Sequence, residues 1–99
     1  MDRYYNKVLI FSPQGELLHE FGTFGSLEGE FRFPHGICVD SEDNILVADR
    51  QNCRIQVFNP QGVHMYTLQL QDQPVQIEVG RQGNIVVSVI TKLLVLENS

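Results

Sequence analysis

Hydrophobic and polar positions alternate in short runs along this chain, and each run stops at a cluster of Gly, Pro, Asn, Asp or Ser. Gly36–Asp40, Asn44–Asp49, Arg54–Phe58 and His64–Gln69 read as strands, because β-branched and aromatic residues recur at a spacing of two between turn-forming residues. The turns fall at Ser41-Glu42-Asp43, Arg50-Gln51-Asn52-Cys53 and Asn59-Pro60-Gln61-Gly62. There Pro sacrifices no ladder hydrogen bond and Gly can take positive φ. The run Ile45-Leu46-Val47-Ala48 is apolar on both faces, as expected of a strand between two layers. The alternation predicts Ile37, Val39, Ile45, Val47, Ile55 and Val57 as core, and no segment sustains a helical period.

The pattern repeats. A shift of 47 places Lys7 on Arg54, Val8 on Ile55, and Phe11, Pro13, Gln14 and Gly15 on Phe58, Pro60, Gln61 and Gly62. A shift of 40 places Pro34 on Pro74, Ile37 on Ile77, Val39 on Val79, Asn44-Ile45 on Asn84-Ile85 and Val47 on Val87. Units of roughly forty residues with four strands each, stacked so that each covers its neighbour's apolar face, describe β-propeller blades. With strands lettered a to d from the axis outward, the chain reads c–d, a–b–c–d, a–b–c. The expectation is an all-β propeller fragment of about nine strands: a partial blade over 1–22, a complete blade over 25–70 and a partial, degenerate blade over 73–99. Met1 stands close to the middle of a repeat, so the chain reads as part of a longer propeller whose remainder could carry a targeting signal.

With 99 residues there is room for one small domain, and a net charge of −5 disfavours indiscriminate phosphate binding, which needs clustered Lys and Arg. Cys38 and Cys53 form no CxxC pair and read as thiols of a reducing, cytoplasmic compartment. No apolar run approaches the roughly twenty residues of a membrane span, and no membrane partner is expected. Nucleophilic catalysis finds no motif, and Gly22–Gly29 lacks the Lys of a phosphate loop, so it reads as a linker between blades. Neither catalytic residues nor cofactors are expected. Asp49 and Arg54 bracket a turn and predict an ion pair, which Asp2 and Lys7 would repeat one unit earlier. Asn52 is suited to a left-handed turn position.

Gly29-Glu30-Phe31-Arg32-Phe33-Pro34-His35-Gly36-Ile37-Cys38-Val39-Asp40, followed by Asn44 to Phe58, resembles a complete NHL repeat. The first partial unit agrees with that pattern, whereas Val89-Ile90-Thr91-Lys92 replaces the Asp, Asn and Arg of the b–c turn and marks a degenerate unit. The resemblance implies blades of the six-bladed propellers found in TRIM-type ubiquitin ligases, which bind a protein or an RNA stem-loop. Any ubiquitin transfer would then reside in a RING domain outside this chain. Similar blades form the lyase domain of peptidylglycine amidating enzymes, where a His after the Pro in some blades binds zinc. His35 stands at that position, but its equivalent in the next blade is Val75, and one imidazole makes no metal site; through Pro34-His35-Gly36 a fragment of such a metal-dependent lyase stays the second alternative to the binding module.

Arg3, Lys7, Arg32, Arg50 and Arg54 fall on the side of the b–c and d–a loops, among enough acids to leave that face near neutral. The candidates for partner binding are Arg32, Phe33, His35, Arg50, Gln51 and Arg54. A neutral face rich in Arg and aromatics favours protein recognition over RNA. Two blades' worth of sheet cannot close a ring, so further blades or self-association are expected; three copies would supply about six blades.

Overall fold

The computed structural model of the chain describes residues 6–90. Eight strands occur among them: β1 (Val8–Phe11), β2 (Leu17–Phe21), β3 (Gly36–Val39), β4 (Ile45–Asp49), β5 (Arg54–Phe58), β6 (His64–Gln69), β7 (Gln73–Val79) and β8 (Ile85–Ile90). They make three antiparallel sheets in the orders β1-β2, β3-β4-β5-β6 and β7-β8. The expected strand near Leu93–Leu96 lies outside the described residues, as does Asp2.

Three of the four described a–b and c–d hairpins, β1–β2, β3–β4 and β5–β6, turn by the same local device. Ser12 Oγ accepts from the amides of Gln14 and Glu16 at 3.2 and 3.1 Å, Asp40 Oδ1 from Glu42 and Asn44 at 2.9 Å, and Asn59 Oδ1 from Gln61 and Val63 at 2.9 Å. Three residues after the acceptor the backbone goes left-handed, at Gly15, Asp43 and Gly62 with φ 91°, 67° and 86°. Small polar residues at the first position and Gly or Asp at the last are what such a turn demands.

The sheets stack through two apolar layers. Val8, Phe31, Ile45, Val47 and Phe58 join the first sheet to the central one, helped by Ile10 and Phe21. Phe21 and Phe58 rings lie 4.5 Å apart, with Phe31 5.7 Å from Phe58. Leu46, Ala48, Ile55, Val57 and Ile77 join the central sheet to the third. There β3 and β7 approach so closely that a Cβ on Gly36 would stand 2.9 Å from the Val75 carbonyl oxygen, and only glycine fits.

Of the predicted core, Ile45, Val47, Ile55 and Val57 are buried. Ile37 and Val39 are not: each is 54% exposed. The alternation placed them on the correct face, paired with Val47 and Ile45 across the β3–β4 ladder. The described part of the first sheet has only the two strands β1 and β2. Its side chains pack on β4, β5 and the linker, and β3 lies beyond them.

Candidate functional site

The segment from Gly22 to His35 leaves the outer strand β2 and returns to β3 across the ends of β4 and β5. It folds on itself first: Phe31 N donates to Thr23 O at 2.8 Å, Gly25 N to Phe31 O at 3.0 Å and Glu30 N to Leu27 O at 3.0 Å. Gly22, with φ 109°, sits where a Cβ would meet the Asn6 carbonyl and the Phe31 ring.

What holds this linker down is a buried polar network. Arg54 Nε donates to Asp49 Oδ2 at 2.7 Å. Its Nη1 donates to Ser26 O at 3.0 Å, and Nη2 to Leu27 O and Glu30 O at 3.0 and 2.9 Å. Gln56, fully buried, donates to Glu30 O at 2.7 Å and Asp49 Oδ2 at 3.2 Å, while accepting from Gly29 N at 3.0 Å. Asn52 Nδ2 donates to Gly25 O and Asp49 Oδ2 at 2.9 and 3.0 Å, and its Oδ1 accepts from Ser26 Oγ at 2.9 Å. Asp49 Oδ1 accepts from Arg32 N at 2.8 Å. Charged and amide groups satisfied in this way inside a low-dielectric layer fix one geometry.

Two expectations change here. Arg54 leaves the set of partner-binding candidates: it is buried and its guanidinium is spent on Asp49 and three linker carbonyls. The left-handed residue of the b–c turn is Cys53, φ 54°, rather than Asn52, which keeps an ordinary backbone and works through its amide. The predicted Asp49–Arg54 ion pair is present, whereas Lys7, its supposed counterpart, pairs across the β1–β2 ladder with Glu20 at 3.1 Å.

The remaining candidates lie around the linker's return. Arg32 is exposed, with its guanidinium carbon 5.4 Å from the centre of the Phe24 ring. Phe24, itself 48% exposed, meets Phe33 edge to face at 6.1 Å. Phe33 has φ 55°, a genuine outlier for an aromatic residue, and its amide donates to Asn6 Oδ1 at 3.0 Å. Gln51 is exposed, and its amide is tied to Arg32 O at 3.1 Å. Arg50 Nε reaches Gln73 Oε1 at 3.2 Å. His35 is exposed, and its Nδ1 lies 2.9 Å from Val75 O. A carbonyl only accepts, so this nitrogen carries the proton. Strand reasoning missed Phe24 and Leu27, the latter 71% exposed at the linker tip. Their signal was two large apolar residues in an otherwise Gly-rich linker. It also missed Gln56, a lone amide in the apolar run of β5.

Among the described residues no group of three or more His, Cys, Asp or Glu could hold a metal ion. Burial pushes the Cys38 thiol up, and Asp40 and Glu78 add to the shift, the opposite of what an activated nucleophile needs. Partial burial raises Asp40, but the Asn44 and Glu42 amides and the Asn44 side chain outweigh it and hold the carboxyl below its ordinary range. No described helix is long and apolar enough to cross a membrane.

Comparison with known proteins converges on one motif. Residues 31–58 match the NHL repeat family. The chain is 37% identical over 67 residues to Protein brain tumor of Drosophila melanogaster, a match spanning 58% of this chain and 6% of that protein. It is 43% identical over 60 residues to Protein lin-41 of Caenorhabditis elegans, spanning 61% and 5%. To the E3 ubiquitin-protein ligase TRIM71 of Rattus norvegicus it is 55% identical over 42 residues, spanning 42% and 5%. The matched segments are thus a small part of these relatives. A crystal structure of a protein of unknown function from Bacteroides caccae superposes with a TM-score of 0.61 over 84% of this chain and 30% of that one; at 19% identity the likeness is one of fold.

Proposed function

The chain carries an NHL repeat within sheets of the propeller-blade type, and on that premise we propose that it is a binding module whose ligand is a protein, taken on the surface formed by Phe24, Arg32 and Phe33. The carrying observation is that surface's preorganisation. An exposed cation stands over an exposed ring, a second ring braces the first, and the backbone beneath is pinned by Asp49 at Arg32 N and by Asn6 at Phe33 N. Arg and aromatic side chains held rigid before binding are the residue types that dominate interface energetics. Arg50, Gln51 and His35 form the rim. A peptide segment with a carboxylate and an apolar anchor matches this chemistry.

On this reading the chain performs no reaction and uses no cofactor, and it acts in the cytoplasm. On the same reading, the partial blade over 1–22, the complete blade over 25–70 and the partial blade over 73–99 each hold one of the three described sheets. If the parent is a ligase of the kind named among the relatives, this part chooses the substrate and another part transfers ubiquitin.

The test is selection of binders from a displayed peptide library, followed by affinity measurement on single substitutions. Arg32→Ala and Phe24→Ala each reduce affinity by roughly tenfold or more, the scale of an interface hot spot, while Lys7→Ala leaves it unchanged. RNA hairpins are titrated in parallel. Nanomolar RNA affinity that resists salt and disappears in Arg32→Ala or Arg50→Ala would replace the protein ligand by RNA.

A further inference from the structure

The first sheet ends at β1, whose outer edge pairs with no strand among the described residues. Along that edge runs a groove of about 560 Å³, lined on the side of the central sheet by Ile37, Val39, Ile45 and Asp43. Unpaired backbone beside an apolar lining is a template for another strand.

The central sheet specifies what fits. There β4 pairs with β5 from Ile45 opposite Phe58 to Asp49 opposite Arg54, and β3 lies beyond β4. The internal repeat maps β5 onto β1 by the shift of 47, and β3–β4 onto β7–β8 by the shift of 40. The chain's own β7–β8 hairpin cannot reach the groove, because it is packed on the opposite face of β3–β4 through Leu46, Ala48 and Ile77. We propose that the groove along β1 takes the β7–β8 hairpin of a second copy of this chain, which completes a four-stranded blade between two molecules. In the register of β4 on β5, Val86 of the second copy lies opposite Ile10 and Ser88 opposite Val8. Val86 is 60% exposed within one copy, on the face that would cover Ile37 and Val39.

Charge agrees with this placement. Within one copy, Ser41 and Gly83 line a common pocket of about 220 Å³ where the central sheet meets the β7–β8 turn. Carried to the contact between copies by the same shift of 40, Ser41 becomes Arg81 of the second copy and Gly83 becomes Asp43. Both are exposed within one copy, and the contact brings the guanidinium to the carboxylate. It joins different surfaces of the two molecules, so it closes into a ring or extends.

Sedimentation of the 99-residue chain across a concentration series tests this. The expected result is an average mass above that of a single chain and rising with concentration. Val86→Glu, at an exposed site, should give a single-chain species with an unchanged circular-dichroism spectrum. Arg81→Glu and Asp43→Lys should each weaken association at least about tenfold, and the two together should restore it. A chain that stays single at every concentration and unfolds cooperatively overturns the proposal. So does association indifferent to Val86→Glu and to the charge exchange, since it would use another surface.

Discussion

Replacing Asp49 by Asn should be among the most damaging single changes this chain can undergo. The substitution keeps shape and volume, and the amide oxygen can still accept from Arg32 N. The new NH₂ group, however, faces Arg54 Nε, Asn52 Nδ2 and Gln56 Nε2, all of them donors. Arg54 stays buried without its counter-charge, and breaking one side of such a pair costs about 3–5 kcal/mol. Total stability for a domain of this length is on the order of 5–15 kcal/mol, so the variant loses a large share of it. With a urea slope of about 1–3 kcal/mol per molar, the midpoint should fall by about 1 M or more. The assay is urea unfolding followed by circular dichroism at one fixed chain concentration, because any self-association is linked to stability. The double variant Asp49→Leu/Arg54→Met separates two explanations. If the arginine only neutralises Asp49, the double variant loses no more than the hydrogen bonds that the Arg32 amide, Asn52 and Gln56 make to that carboxylate. If it also holds the linker, the carbonyls of Ser26, Leu27 and Glu30 lose their donor and the double variant stays destabilised. A midpoint for Asp49→Asn equal to wild type, or a fully recovered double variant, would refute the reasoning.

Asp40, held below its ordinary range by the Asn44 and Glu42 amides, contributes stability above the usual carboxylate range that is lost as pH falls through its lowered folded value. Asp40→Asn keeps the turn, as Asn59 does in the next hairpin, and thermal melts against pH should show a smaller acid-side loss than wild type. Gly22→Ala should lower the urea midpoint by more than about 1 kcal/mol equivalent, since φ is 109° and the new methyl meets the Asn6 carbonyl and the Phe31 ring. Lys7→Ala, which breaks only an exposed pair with Glu20, should change stability by less than about 1 kcal/mol in the same assay.

The blades were legible in the sequence because their determinants are local. Alternation sets which face each strand buries, and the Ser12, Asp40 and Asn59 turns carry their own acceptors three residues before a left-handed position. What local reasoning could not supply was the identity of the neighbour. Ile37 and Val39 point toward the first sheet as their spacing requires, yet burial depends on strands that two-stranded β1–β2 does not provide. Arg54 was misjudged for a related reason. Its position beside a turn suggests exposure, and only the fold reveals that a linker more than twenty residues upstream lies over it. The left-handed backbone at Phe33 and Cys53 goes against residue preference and is imposed by tertiary contacts, including the Asn6 side chain on the Phe33 amide.

These surprises share a location. The buried network and the Arg32–Phe24–Phe33 cluster, in which Arg32 and Phe24 are exposed and Phe33 is half-buried, are the two sides of one linker, joined at Asp49, which accepts from the Arg32 amide on one carboxylate oxygen and from Arg54, Gln56 and Asn52 on the other. On the proposed reading, a partner that binds Arg32 would meet a side chain whose backbone position is set by the charge balance beneath it. Substitutions below the surface should alter recognition without touching the ligand, because a loosened linker lets the ring and the guanidinium separate before binding. The unfavourable φ of Phe33 fits the same logic: strain of this kind persists where the surroundings over-determine the backbone, and here they do so next to the residues best placed to bind.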